Sequence, residues 1–126
     1  MNSRLWTIGA GAALLIPMLG GAFAAEPMED RQLAVLQGLD KVTARVVELD
    51  IPVGITQQWG TLRITPRACR KAPPIEAPEA AAFLDIQEVQ PDEQPTALFS
   101  GWMFASSPAL SALEHPVYDV WVIDCK

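Results

Sequence analysis

Apolar positions along the chain fall into short alternating runs separated by proline- and glycine-rich breaks, the pattern of a β-rich domain. In the run from Lys41 to Ile51 (KVTARVVELDI), Val42, Ala44 and Val46 share one phase while Val47, Leu49 and Ile51 share the other. That slip predicts a strand with a bulge between Val46 and Val47. Pro52 and Gly54 end the run, and Thr61 to Thr65 then alternates, Leu62 and Ile64 against Thr61, Arg63 and Thr65, as a half-buried strand does. Strict alternation carries Cys69 onto the Arg63 face, so Pro66 must either shift the register or end the strand.

Lys71 to Glu79 contains Pro73, Pro74 and Pro78 among small and acidic residues, which favours a long, extended surface loop. Ala82, Leu84 and Ile86 share one face of a following strand. The break from Pro91 to Pro95 then separates it from Thr96 to Phe104, a spacing that suits an antiparallel hairpin. This second run is apolar on both phases, with Leu98, Trp102 and Phe104 on one and Phe99 and Met103 on the other, and reads as a central strand. Ser106 to Glu114 reads as a short helix of about two turns, with Ser107 as its cap, Pro108 in the first turn and Pro116 ending it. Val117 to Cys125 closes the chain as a strand, with Val120 and Val122 on one face and Trp121, Ile123 and Cys125 on the other. The expected fold is mainly β: a small antiparallel β-sandwich or partly open barrel with one short helix and one disulfide.

Ahead of this domain lies a different kind of segment. Residues 1–24 carry Arg4, an apolar run from Leu5 to Gly21 and the small-residue step Ala22-Phe23-Ala24, the signature of a cleaved secretory signal. An uncleaved anchor is the alternative, because Leu5 to Ala24 is about long enough to span a bilayer, although Gly9, Gly11, Pro17, Gly20 and Gly21 weaken such a span. Cleavage after Ala24 leaves 102 residues with 8 basic and 15 acidic side chains. Residues 25–32 are then a flexible lead-in and 33–126 a single domain without a further membrane span. The expected location is the periplasm, reached by the general secretory route.

That location changes the reading of the two cysteines. Thiols oxidise there, and an even count with none left over favours a structural Cys69–Cys125 bridge. A redox-active pair is the alternative, but such pairs usually lie close in sequence. Charge narrows the partners: the whole chain has a net charge of −6, which disfavours nucleic acid. Against this background Arg63, Arg67, Arg70 and Lys71 place four positive charges within nine residues, which reads either as a solvated strand end or as a dock for an acidic protein or anionic surface. Of the aromatic residues Trp59, Trp102, Tyr118 and Trp121, Trp59 is the strongest candidate for an exposed contact, because Gln57, Gln58 and Gly60 place it in a turn. Core packing is the alternative for all four.

Chemistry is sparse. His115, the one histidine, has Glu114, Tyr118 and Asp119 nearby, and a general-base role with Ser106, Ser107 or Ser111 is conceivable. A His-Pro step that satisfies the carbonyls at a helix end needs no chemistry and accounts for it more simply. No nucleophile elbow, calcium loop, zinc ligand set or phosphate cradle is encoded. No catalytic residue, metal or cofactor is therefore expected.

The segment FSGWMFASSPALSALEHPVYDVWVIDC (Phe99 to Cys125), together with GLDKVTARV (Gly38 to Val46) and GTLRITPRAC (Gly60 to Cys69), resembles a bacterial family known as domain of unknown function 2155. The likeness covers nearly all of the chain after the signal segment. It implies a small exported envelope domain of Gram-negative bacteria and assigns no catalytic residue. The expected function is a non-catalytic domain that binds another envelope component, a protein or an anionic surface, in envelope assembly or integrity. The alternative is a glycan-binding module that uses exposed tryptophans, on peptidoglycan for instance.

Overall fold

A computed structural model describes residue 11 and residues 27–126 of the chain. The expected signal, residues 1–24, thus lies outside the described residues apart from Gly11. Eight strands follow in order: β1 (Glu29–Asp30), β2 (Leu33–Asp40), β3 (Arg45–Pro52), β4 (Gln57–Trp59), β5 (Leu62–Lys71), β6 (Ala80–Glu88), β7 (Thr96–Phe104) and β8 (Tyr118–Cys125). They form two antiparallel sheets. One has the order β1-β5-β6-β7, with β4 also paired to β5, and the other has the order β3-β2-β8. Neither closes into a barrel, so the fold is the expected mainly-β sandwich.

The core lies between the sheets. Leu62 and Ile64 on β5 and Leu84 and Ile86 on β6 face Leu36 on β2 and Ile51 on β3, all 0% exposed. Alternation on β5, β6 and β8 produces this arrangement, since each strand offers one apolar face and the two apolar faces bury each other.

Two bulges bring the cysteines into that core. On β5 the pairing with β6 shifts between Pro66 and Ala68, so Arg67 is the extra residue and Cys69 swings onto the face of Leu62 and Ile64. Pro66 therefore shifts the register without ending the strand. On β8 the pairing with β2 shifts between Val35 and Leu36, which leaves Ile123 unpaired and turns Cys125 inward beside Val120 and Val122. Alternation alone placed Cys125 on the opposite face. Cys69 and Cys125 are bonded across the sandwich, with Cα atoms 5.7 Å apart.

Several local expectations give way to the tertiary fold. The β2–β3 ladder runs in continuous register past Val46 and Val47, so no bulge interrupts it. Asp40 turns this hairpin instead, its Oδ1 accepting from the Val42 and Thr43 amides at 2.9 and 3.2 Å. Within the lead-in, Glu29 and Asp30 form β1 on Lys71 and Arg70. β7 is an edge strand, paired on one side only with β6.

The segment 105–117 contains turns and no helix. It must return from the end of β7, beside Ala81, to the start of β8 opposite Asp40, the full length of the sandwich. A helix over residues 106–114 would advance only about 13 Å, whereas an eight-residue strand is about 26 Å long. The segment therefore crosses as a strap, pinned to the core by Leu113, which is 3% exposed.

Candidate outer-face binding surface

The outward positions of β5, β6 and β7 form an open sheet face, and three of the four clustered cations meet on it. Arg63 is exposed and has no ion-pair partner among the described residues. Arg67, lifted out by the bulge, pairs through Nε with Asp85 Oδ2 at 2.7 Å, and Ser100 Oγ donates to Asp85 Oδ1 at 2.6 Å. The Ser100 hydrogen bond, then Arg67, holds the Asp85 carboxyl below its ordinary value. Arg70 pairs with Asp30 at 3.1 Å, and its guanidinium carbon lies 5.3 Å from the centre of the Trp102 ring. Lys71 leaves this group, reaching across to Asp124 of β8 at 3.0 Å. A shallow groove of about 620 Å³ runs along the face between Arg63, Arg67, Thr65, Asp85, Gln87 and Ser100.

Aromatic side chains extend the same face. Phe83 of β6 stands opposite Trp102 of β7 in the ladder, and their rings meet edge to face with centroids 5.6 Å apart. Phe104, further along β7, is 37% exposed. Trp59 is placed differently. Its ring packs across the mouth of the sandwich against Tyr118, centroids 4.9 Å apart, and over the bare backbone of Gly38. A Cβ at Gly38 would lie 2.7 Å from that ring. Gly60 turns β4 into β5 at φ +59°, directly beneath the Tyr118 hydroxyl. Trp59 is thus half-buried and joins the sheets, and Trp102 is the tryptophan on the open face. The clue in the sequence was the apolar character of both β7 faces, which suits an edge strand with an aromatic outer surface as well as a central one.

His115 is held on both nitrogens. Its Nδ1 accepts from the Val117 and Tyr118 amides at 3.0 and 3.1 Å, while Nε2 hydrogen-bonds Glu88 Oε2. An Nδ1 that accepts carries no proton, so Nε2 is the donor to the carboxylate. That bond, the largest influence on Glu88, holds its carboxyl below the ordinary value. With both nitrogens engaged the ring has no lone pair to offer as a base. Ser106 Oγ, moreover, bonds Glu79. His115 therefore organises the strap's return into β8 and caps no helix.

A second concavity of about 630 Å³ lies under the proline-rich loop, lined in part by Lys71, Pro73, Pro78, Glu79, Ser106 and Asp124. Its charges largely satisfy one another. Burial raises the Glu79 carboxyl, but bonds from Ser106 and the Ala80 amide outweigh it and bring it below its ordinary value. Asp124 is lowered in the same sense, Lys71 and the Cys125 amide overcoming burial. Among the described residues no group of three His, Cys, Asp or Glu side chains is placed to hold a metal ion, and no helix is long and apolar enough to cross a membrane.

Fold and surface together define a disulfide-bridged antiparallel β-sandwich with a cationic-aromatic sheet face. Residues 34–125 match the model of the family described as an uncharacterized protein conserved in bacteria, domain of unknown function 2155. The chain belongs to that family. It is also 36% identical over 87 residues to an uncharacterized protein of Rickettsia prowazekii (strain Madrid E), the match covering 69% of this chain and 56% of the relative. The chain thus spans a little over half the length of that relative. No solved structure matches it.

Proposed function

We propose that this is a non-catalytic binding domain, exported to the periplasm, that docks an acidic component of the cell envelope on the outer face of β5, β6 and β7. The observation that carries this reading is that Arg63, without an ion-pair partner among the described residues, shares one sheet face with Arg67, Arg70 and Trp102 in a chain whose net charge is −6, Arg67 and Arg70 being paired with Asp85 and Asp30. Localised positive charge on an acidic molecule steers an acidic partner to one place, and Arg and Trp are the residue types that most often anchor such contacts. The signal segment and the family resemblance support the location.

The test is photo-crosslinking in cells at native level, from a reactive residue at Gln87 within the groove. One recurrent partner is expected, and Arg63→Glu with Arg67→Glu should reduce its capture at least about 10-fold. Capture unaffected by charge reversal would overturn the assignment.

A glycan-binding reading has one specific observation behind it, the Phe83-Trp102 pair on the open face. It predicts that the wild-type chain sediments with purified sacculi and that Trp102→Ala does not. A wild-type chain that stays in the supernatant ends that reading.

A further inference from the structure

Sheet edges are the places where one chain can add to another, and natural sandwiches protect them with charge, proline, bulges or short strands. Four of the five outer strands here carry such protection. β1 has two residues, both acidic, and β4 has three. β3 is exposed along Arg45, Glu48 and Asp50 and ends in Pro52. β8 carries Asp119 and Asp124 and is bulged at Ile123.

β7 is the exception. Its nine residues, TALFSGWMF, contain no charge and no proline, and its one irregularity, at Leu98, leaves Phe99 to Phe104 in regular register. The strap does not cover this edge with backbone pairing: its bonds with β7 are confined to the turn from Ser107 N to Phe104 O. Phe104 at the end of this strand is 37% exposed.

We infer that β7 pairs with β7 of a second copy, antiparallel about a two-fold axis, joining the two large sheets into one. The inference goes beyond the proposed binding function and does not rest on it. Charge argues for this occupant. An acidic or basic strand gains no ion pair from β7, whereas a second copy presents an equally uncharged strand, so two chains of charge −6 meet where neither carries charge. Shape agrees. Side chains opposite one another in a continuous sheet must share a face, which requires the axis to pass through a residue of the regular stretch. Centred on Gly101, the register sets Ser100 opposite the partner copy's Trp102 and Phe99 opposite its Met103, so the outer face pairs small with large. The contact is small, which places it among weak, concentration-dependent interfaces.

The test is sedimentation velocity on the protein expressed with export and purified as the cell leaves it, from about 1 μM to about 500 μM. The weight-average mass should rise toward twice the monomer value. Ser100→Lys, a charge at the edge, should move the midpoint at least about 10-fold to higher concentration. Glu48→Lys on β3 should not move it. Because Ser100→Lys also removes a hydrogen bond to Asp85, amide exchange of the wild-type chain is followed in parallel. Exchange should slow with concentration along β7 and not along β3. A monomer over the whole range, association that survives Ser100→Lys, or β7 amides indifferent to concentration would each overturn the inference.

Discussion

Replacing Cys69 and Cys125 together by alanine removes the disulfide cross-link between two sheets that share no hydrogen-bonded ladder. The sequence separation is 56 residues, so opening that loop restores denatured-state entropy worth about 4 kcal/mol in the chain-entropy model. Both cysteines are buried, at 1% and 0% exposure, yet alanine leaves only a small void at each, so loop closure dominates. A domain of this size has a total stability of about 5 to 15 kcal/mol. An expected loss of about 3 to 4 kcal/mol would therefore leave it marginal and lower Tm by more than about 12 °C. Urea unfolding followed by tryptophan fluorescence measures it on three samples: oxidised wild type, reduced wild type and the double variant. The two unbridged samples should coincide. A loss below about 1 kcal/mol would refute the reasoning, because the bridge would then constrain nothing that the packed sheets do not already hold.

Gly38→Ala sets a methyl group 2.7 Å from the Trp59 ring, and moving that ring disturbs its contact with Tyr118. A cost of about 1 to 3 kcal/mol is expected, with a changed near-ultraviolet circular dichroism signal from Trp59, and an unaltered midpoint and spectrum would show the contact to be slack. Acid should destabilise the fold in a defined window. The Glu88, Glu79 and Asp85 carboxyls all lie below ordinary values of 4.5 for glutamate and 3.8 for aspartate. Each contributes stability that is fully present above those values and is lost as pH falls through the lower folded value. Tm should therefore be level above about pH 5 and fall below it. Glu88→Gln should make that fall shallower, and an identical acid limb in the variant would remove the His115–Glu88 bond from the account.

Much of the sandwich was legible in the sequence because alternation is a local property. Leu62 with Ile64, and Ala82 with Leu84 and Ile86, fall on the expected faces and are fully buried. What escaped depended on distance along the chain. The apolar run of β7 has the same pattern at a sheet's centre and at its edge, and only the path of the rest of the chain decides between them. The strap has a cap, a first-turn proline and a stop signal for a helix, yet its span along the sandwich overrides local propensity. Gln57, Gln58 and Gly60 suggested a turn at Trp59, but Gln57–Trp59 pair with β5 as a short strand and the turn follows at Gly60; the Trp59 ring closes over the other sheet, where Gly38, 21 residues earlier in the chain, makes the space for it.

The bulge at Arg67 links the disulfide to the outer face that carries Arg70 and Trp102. In an unbroken β5, Leu62, Ile64 and Pro66 would point inward along with Ala68 and Arg70, while Cys69 pointed out. That register would bury a guanidinium and leave the cysteine facing solvent, out of reach of Cys125. One extra residue reverses both outcomes. Cys69 turns in to bond β8, and Arg70 turns out over Trp102, on the same face as Arg63 and beside Arg67 itself. Pro66 suits this position because a proline cannot complete a regular ladder and is tolerated where the ladder is already broken, while its carbonyl still accepts from the Gly54 amide at 2.7 Å. An unbroken strand would keep Arg63, Arg67 and Lys71 on the outer face; the bulge exchanges Lys71 for Arg70 there, which sets a guanidinium over Trp102 and frees Lys71 to reach Asp124. The disulfide and the Arg70–Trp102 contact depend on the same backbone step.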